Sequence, residues 1–360
     1  MKRLIFEEEH DMFRDSVRSF MINEVQPHGE KWREQGIVDR EAYLKAGEQG
    51  LLLMWADEKY GGAGVSDFRY EQILMEELTQ HGDAGFFLWL HSRLVAPYIE
   101  EFGTDEQKQR WLPKCVSGES ILAIAMTEPG AGSDLASIRA KAEDKGDHFL
   151  LNGAKTYISN GILADLVIVA ARTDPESKRG ISLFVVERGM DGFERGANLA
   201  KMGLKSQDTA ELFFNNVKVP KENLLGQLHR GFYHMMHGLV EERLLAAVGF
   251  IANAEAAYEV TMEYIRERHA FGQPIAAFQN TRFKMADMRT EIDVAQAFVD
   301  QCVLQHNAGR LSAEDAAKAK LFTSELEGRV TDECVQLHGG AGYMDEYPIS
   351  RMFTAARVSR

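Results

Sequence analysis

Ala125-Met126-Thr127-Glu128-Pro129-Gly130-Ala131-Gly132-Ser133-Asp134-Leu135 is the stretch that decides how this chain is read. It leaves an apolar, strand-like segment that starts at Ser120, and it packs small residues, hydroxyls and a turn into a short space. A turn of this make-up presents backbone N–H groups and hydroxyls to a bound group. Its glycines lack the spacing of the dinucleotide fingerprint Gly-x-Gly-x-x-Gly, and the sequence holds no Gly-Lys-Ser/Thr phosphate loop. Two glycines alone would mark an ordinary turn; the string as a whole is far more specific.

Working outward, the chain divides by pattern into three regions. Up to residue 119 it reads helical. Phe6, Met12, Phe13, Val17, Phe20 and Met21 keep near-helical spacing until Pro27 and Gly29. Further helices are expected over Asp39–Gly50, Phe68–His81, Gly85–Glu101 and Thr104–Val116, the last opened by the capping-box pattern Thr104-Asp105-Glu106-Gln107. From 120 to 230, short β-branched and aromatic runs alternate with turns. The runs are Ile121–Met126, His148–Leu151, Lys155–Ser159, Leu166–Ala171, Ile181–Glu187 and Ala210–Phe214. Asn152-Gly153, Asn160-Gly161, Asp191-Gly192 and Asn215-Asn216 read as the punctuation between them. From 231 to 360 long helical patterns return over Phe232–Arg268, Asn280–Gly309 and Ser312–Leu337, as in an antiparallel bundle. The expected architecture is α+β and multi-domain: an N-terminal all-α domain, a middle β-barrel or sheet domain, and a C-terminal four-helix-bundle-like domain.

Composition narrows the function classes. The 360 residues are 45% hydrophobic and 27% charged, ordinary for a soluble globular protein of two or three packed units. No apolar run approaches a membrane span, and the N-terminus turns acidic at Glu7-Glu8-Glu9 without a signal-peptide core. Cys115, Cys302 and Cys334 lie far apart and form no Cys-x-x-Cys pair, which implies a reducing, cytoplasmic setting. A formal charge of −14 argues against a nucleic-acid surface. An anionic ligand would need a local basic patch. Lys178-Arg179, in the polar loop Thr173–Gly180, is one candidate, although such pairs are more often solvated surface. His229, His234 and His237 hint at a metal, but no further His or carboxylate completes a ligand pattern, and they are read as packing histidines. Phe86-Phe87-Leu88-Trp89-Leu90 is read as helix core rather than ligand tunnel, and Asp134 as a helix cap rather than a catalytic acid.

Three further strings join the first. They are Lys155-Thr156-Tyr157-Ile158-Ser159-Asn160-Gly161, Arg266-Glu267-Arg268-His269-Ala270-Phe271-Gly272 with Gln279 following, and Gln336-Leu337-His338-Gly339-Gly340. In this order, over nearly the whole chain, they resemble the flavin motifs of the acyl-CoA dehydrogenases, with Tyr157 where many members carry Trp or Phe. The resemblance implies FAD held locally by Ile124, Ala125, Met126, Thr127, Gly132, Ser133, Tyr157, Ile158 and Ser159. It implies that Arg268, Gln279, Gln336, Leu337, His338, Gly339 and Gly340 reach the flavin of a neighbouring subunit, and hence a homo-oligomer, usually a tetramer built as a dimer of dimers. The chemistry of the residues suits these roles. An aromatic ring covers one face of a flat ring system, hydroxyls meet its polar edge, an Arg fork meets pyrophosphate, and paired glycines admit close backbone approach.

Met202-Gly203-Leu204-Lys205-Ser206-Gln207-Asp208-Thr209 and Glu242-Arg243-Leu244-Leu245 fit the long-chain branch of the family. That likeness places acyl-CoA contacts at Ser133, Lys178, Arg179, Tyr233, Val240, Glu241 and Arg243. It implies oxidation of a medium- or long-chain acyl-CoA to the trans-2-enoyl-CoA, with electrons passed to electron-transfer flavoprotein. An acyl-CoA oxidase or another flavoenzyme on the same fold, or a non-catalytic flavin-binding or scaffold protein, are the alternatives the sequence leaves open. Relatives continue past their counterpart of Arg357–Arg360 into a segment where most carry the catalytic Glu; this sequence ends before it. Long-chain and isovaleryl-type relatives instead place the base in a helical Glu-Arg pair, which Glu242-Arg243 matches. Glu242 shares a helical face with Leu239, Leu245, Ala246 and Gly249, where a charge is costly unless paired or used. Glu242 is therefore the expected base, with Glu241 its nearest competitor.

Overall fold

A computed structural model describes residues 3–360. Its element order is helical, then sheet, then helical, as the sequence pattern predicts. The first region contains α1 (Glu8–Phe20), α2 (Gly29–Gln35), α3 (Arg40–Glu48), α4 (Phe68–His81), α5 (Ala96–Phe102) and α6 (Asp105–Val116). The Thr104 capping box is present in full: its hydroxyl accepts the Gln107 N–H, and the Gln107 side chain accepts the Thr104 N–H. The helix expected from Gly85 starts later, because Gly85 packs against Ser206 and Gln207 in a turn. A widened π turn over Leu90–Val95 then leads into α5.

The middle region holds β1 (Leu122–Ala125), β2 (Lys141–Asp144), β3 (His148–Ser159), β4 (Leu166–Arg172), β5 (Ile181–Glu187), β6 (Phe193–Asn198), β7 (Thr209–Pro220) and β8 (Leu224–Leu225). They form one sheet in the order β6-β7-β3-β2-β4-β5-β8, with β1 parallel to β4. The path is open, with β6 and β8 at its ends. Strands β4 and β5 read as near-continuous apolar runs, with Ser182 the one interior interruption, because both faces are buried. Ile168, Ala170, Leu183 and Val185 join the core shared with the helices. Their neighbours Val167, Val169, Phe184 and Val186 join a second core with Phe149, Leu151, Phe193 and Phe214.

Two expected turns are not turns. Asn152-Gly153 lies inside β3, where a bulge between Leu151 and Gly153 absorbs the glycine's positive φ. Asn215-Asn216 lies inside the long strand β7, and Asn216 N–H donates to Asn152 Oδ1 across the same irregularity. Local turn chemistry is overridden there by cross-strand pairing on both sides.

The last region contains α7 (Gly231–His237), α8 (Leu239–Glu267), a small hairpin β9 (His269–Ala270) and β10 (Gln273–Pro274), α9 (Gln279–Asn307), α10 (Ala313–His338) and α11 (Pro348–Ala356). The single helix expected over Phe232–Arg268 is broken at Gly238 into α7 and α8. Helix α8 is apolar around much of its circumference because α4, α9 and α10 all pack on it. Among the described residues no helix is long and apolar enough to cross a membrane.

Candidate active site

Two backbone segments meet at the exit of β1. Thr156 N–H donates to Thr127 O at 3.0 Å, so the first flavin-like string lies edge to edge with the second. Glu128 and Ala131 exchange backbone hydrogen bonds around Pro129-Gly130, closing a tight turn. Behind them stands a buried pair that the sequence reading missed. Lys155 Nζ lies 2.9 Å from both Met126 O and Glu128 Oε1. The Glu128 carboxylate also accepts the N–H groups of Arg139 (2.6 Å) and Ala140 (2.9 Å). Burial lowers the Lys155 pKa against the charge of Glu128. The signal was a lysine in a strand of alternating burial, which needs a buried counter-charge.

This strut leaves Tyr157 standing out. Its φ is +58°, unusual for a ring-bearing residue, and it is 70% exposed at the end of a buried strand. Thr127 and Ser159 are half-buried beside it, whereas Gly132 and Ser133 lie on the exposed turn. Ile124, Met126 and Ile158 pack inward, and Ala125 is fully buried in the second core. Asp134 accepts the Ser137 hydroxyl at 2.5 Å and caps no backbone N–H.

The second group of flavin-like residues lies where α8 ends, α9 begins and α10 ends. Arg268 is exposed between α8 and the hairpin, with Phe271 97% exposed at the hairpin tip. Gln279 opens α9, and Gln336, Leu337 and His338 close α10. Tyr264 stacks on His338 at 4.2 Å, and its hydroxyl donates to His338 O at 3.2 Å, which holds the turn at Gly339. Among the described residues no hydrogen bond joins this group to Thr127 or Tyr157. A Cβ at Gly130, Gly132, Gly339 or Gly340 would meet no atom within 4 Å, so all four lie open to a ligand. A flat aromatic platform, hydroxyls at its edge, an exposed Arg fork and open glycine backbone together fit a flavin nucleotide.

The third cluster surrounds the start of α8. Gly238 leaves room for the Glu242 carboxylate: Glu242 Oε1 is 2.9 Å from where a Cβ on Gly238 would sit. Tyr98 Oη lies 3.3 Å from that oxygen and donates to it. Burial, aided by the charge of Glu241 and opposed by the Tyr98 hydrogen bond, pushes the Glu242 carboxyl up to about 7. Glu241, expected among the acyl-CoA contacts, has its carboxylate engaged elsewhere. Its Oε1 lies 2.8 Å from Arg93 Nε, and its Oε2 is 2.9 Å from His306 Nε2. Burial raises its pKa, but the His306 hydrogen bond and the Arg93 charge outweigh this and hold it below the usual range. Environments that push two neighbouring carboxyls apart separate an acid/base group from a structural one.

The remaining expected contacts lie on the 173–180 loop, on α7 and at the start of α8. Arg179 sits over the Phe232 ring at 5.5 Å, next to Tyr233, and Lys178 is exposed beside it. His229 Nδ1 pairs with Thr173 Oγ1 at 2.8 Å, tying the loop to the start of α7. Val240 and Arg243 are half-buried on the first turn of α8. His234 packs on Phe102 with ring centres 3.9 Å apart and the planes tilted by 45°, and His237 Nε2 lies 2.7 Å from Glu101 Oε1.

Comparison with known proteins agrees in all three regions. Family models described as the N-terminal, middle and C-terminal domains of acyl-CoA dehydrogenase match residues 7–119, 123–217 and 229–360. The chain is 48% identical to the long-chain specific acyl-CoA dehydrogenase, mitochondrial, of Mus musculus, over 99% of this chain and 83% of that protein. It superposes on an acyl-CoA dehydrogenase from Geobacillus kaustophilus with a TM-score of 0.97 at 48% identity, covering 99% of this chain and 95% of that one. An acyl-CoA dehydrogenase complexed with FAD from Bacillus anthracis matches at 33% identity and a TM-score of 0.93, covering 99% and 64%.

Proposed function

The chain belongs to the acyl-CoA dehydrogenase family, an FAD-dependent enzyme of acyl-CoA α,β-dehydrogenation, and from that premise we propose that Glu242 is its base and that a medium- or long-chain acyl thioester is its substrate. The observation that carries the assignment is the different surroundings of the two adjacent carboxylates: Glu241 is held by Arg93 and His306, whereas Glu242 meets the Tyr98 hydroxyl in the space left by Gly238. The α C–H bond breaks heterolytically and its proton passes to a Glu242 carboxylate oxygen. FAD, when bound, supplies the two-electron acceptor for the hydrogen that leaves the β carbon. The phenol of Tyr98, held well above its usual range by burial and by Glu242, stays protonated and orients the carboxylate through its O–H. Displacing water from this pocket strengthens the base, because a desolvated carboxylate gains more from taking a proton.

Thr127, Ser133, Tyr157 and Ser159 are the local half of the proposed FAD site, strutted by Lys155 and Glu128. Arg268, Gln279 and the turn at Gly339-Gly340 complete the site of a second copy. A homo-oligomer follows, and we take it to be a tetramer. Supporting that reading are the exposed Arg268 and Phe271 and, among the described residues, the absence of a hydrogen bond between the two groups. Lys178, Arg179 and Arg243 would meet the phosphates of coenzyme A. Electron-transfer flavoprotein is the proposed acceptor, and a cytoplasmic location is supported by the three buried, unpaired cysteines. The domains are taken as 1–119, 120–230 and 231–360.

The test is a spectral titration of purified protein with thioesters of graded length, run on the wild type and on Glu242→Gln. The wild type should be yellow and should bleach, with efficiency rising about 0.8 kcal/mol per buried methylene until the pocket is full. Glu242→Gln should keep its FAD and bind acyl-CoA but bleach roughly two to four orders of magnitude more slowly. A normal rate in that variant would remove Glu242 from the role, and activity peaking on a four-carbon thioester would overturn the length assignment.

A further inference from the structure

Behind the base lies a cluster that the reaction as described does not use. Arg93, in the widened turn before α5, reaches Glu241 through Nε at 2.8 Å and a second guanidinium nitrogen at 3.1 Å. His306, at the end of α9, reaches the same carboxylate at 2.9 Å. Phe68 closes over both side chains, with Arg93 5.3 Å from its ring centre and His306 4.7 Å. Glu71 on α4 lies buried beside them, and burial holds its carboxyl up at about 7. The cluster therefore presents one firmly ionised carboxylate, Glu241, next to Glu242. The widened turn accounts for the arrangement, because it brings Arg93 and Tyr98, five residues apart, to the same turn of α8.

We propose that the Arg93–Glu241–His306 cluster is a positioning device for the base: by pinning the Glu241 carboxylate against Arg93 and His306, it holds a fixed negative charge beside Glu242 and so sets the pH at which Glu242 can accept a proton. This rests on the reading of Glu242 as the base. The groups that face Glu242 are Tyr98 from α5, with Glu101 behind it, and Glu241 and Arg243 from α8. Arg93, Glu71 and His306 gather around Glu241 instead, so they reach Glu242 only through it. A nearby like charge raises the pH at which a carboxyl ionises, and removing that charge lowers it.

The experiment is the pH profile of flavin bleaching by acyl-CoA in rapid mixing, with FAD content and thermal midpoint recorded for each variant. In the wild type the rate should climb through about pH 7. Glu241→Gln keeps the shape and the Arg93 contact but removes the charge. Its acid limb should move down by on the order of one pH unit, making it roughly fivefold faster than wild type near pH 6 once each is scaled to its own plateau. The plateau itself should fall, because a less basic carboxylate accepts a proton less well. Arg93→Lys, which keeps the charge, should leave the limb in place. If Glu241→Gln does not fold, Arg93→Gln combined with Glu241→Gln strands no charge and should show the same downward limb. A limb unmoved in the folded variant, while Glu242→Gln abolishes bleaching, overturns the cluster and leaves the base standing. Normal bleaching in Glu242→Gln overturns both.

Discussion

Gly238→Ala isolates the geometry of the base from the stability of the fold. Gly238 joins α7 to α8 with φ −65° and ψ −17°, a conformation open to any residue. An added methyl carbon would lie 2.9 Å from Glu242 Oε1 and 3.6 Å from Tyr98 Oη. Ordinary contact begins near 3.4 Å, so the carboxylate must retreat by about half an ångström (3.4 − 2.9). The atom that must move ends a flexible side chain, which makes the retreat cheap. Replacing a glycine by alanine at a backbone conformation that alanine can adopt itself contributes roughly 0.4–1 kcal/mol of stability. Proton abstraction is less forgiving: a misplacement of about 1 Å costs roughly a hundredfold, and half of that roughly tenfold. The assay pairs rapid-mixing flavin bleaching at saturating acyl-CoA with thermal unfolding. The expected result is an equal or higher midpoint, full FAD content and bleaching about ten times slower. A variant that is as stable and as fast as the wild type would refute the reasoning, because the carboxylate would then work from some other position.

Other perturbations separate the remaining parts of the site. Lys155→Met strands a buried carboxylate, so urea unfolding should lose about 3 kcal/mol, with the turn at Glu128 loosened and FAD bound less tightly; an unchanged midpoint would show that the pair is not a strut. Arg268→Ala should weaken FAD by about 2 kcal/mol, near thirtyfold, without lowering the thermal midpoint of the apoprotein; a monomer that holds FAD as tightly as wild type would contradict a shared site. Glu327 is buried between α8 and α10, accepts Asn253 Nδ2 at 2.7 Å, and has its carboxyl pushed up to about 7 by burial. A raised carboxyl pKa means the folded state binds the proton more tightly, so that contribution is present at acid pH and is lost as pH rises from about 4.5 through about 7. Glu327→Gln should therefore stabilise the protein by up to about 3 kcal/mol at pH 8 and little at pH 5, read from unfolding curves at the two values.

Periodicity and caps made most of the fold legible, because those signals are local. Thr104 and Gln107 are three residues apart and bond to each other. The paired faces of β4 and β5 are written in their near-continuous apolar runs. Where the reading failed, the deciding interaction lay elsewhere in the chain. Asn152-Gly153 carries every local mark of a turn, yet β7 on one side and β2 on the other keep the strand running through it. The break at Gly238 is hidden for the opposite reason: the apolar spacing of 232–268 continues across it, and only the space needed by Glu242 distinguishes that glycine from any other.

The same division runs through the candidate site. The motif strings mark which residues present themselves to a ligand, because those side chains stand free of the core. They are silent on what holds them. Lys155 and Glu128 are separated by a strand and a loop, and neither has a neighbour in sequence that announces the other. Glu241 and Glu242 show the point most sharply. In sequence they are adjacent, chemically identical and on one amphipathic helix, so a choice between them rests on likeness to relatives. In space Glu241 meets Arg93, 148 residues away, and His306, 65 residues away, while Glu242 meets a phenol and a gap left by a glycine. A carboxylate already held by a guanidinium and an imidazole nitrogen has little left to gain from a proton at neutral pH. The carboxylate that burial leaves close to neutrality is the one able both to take a proton and to release it, and that difference exists only once three helices have packed around the first turn of α8.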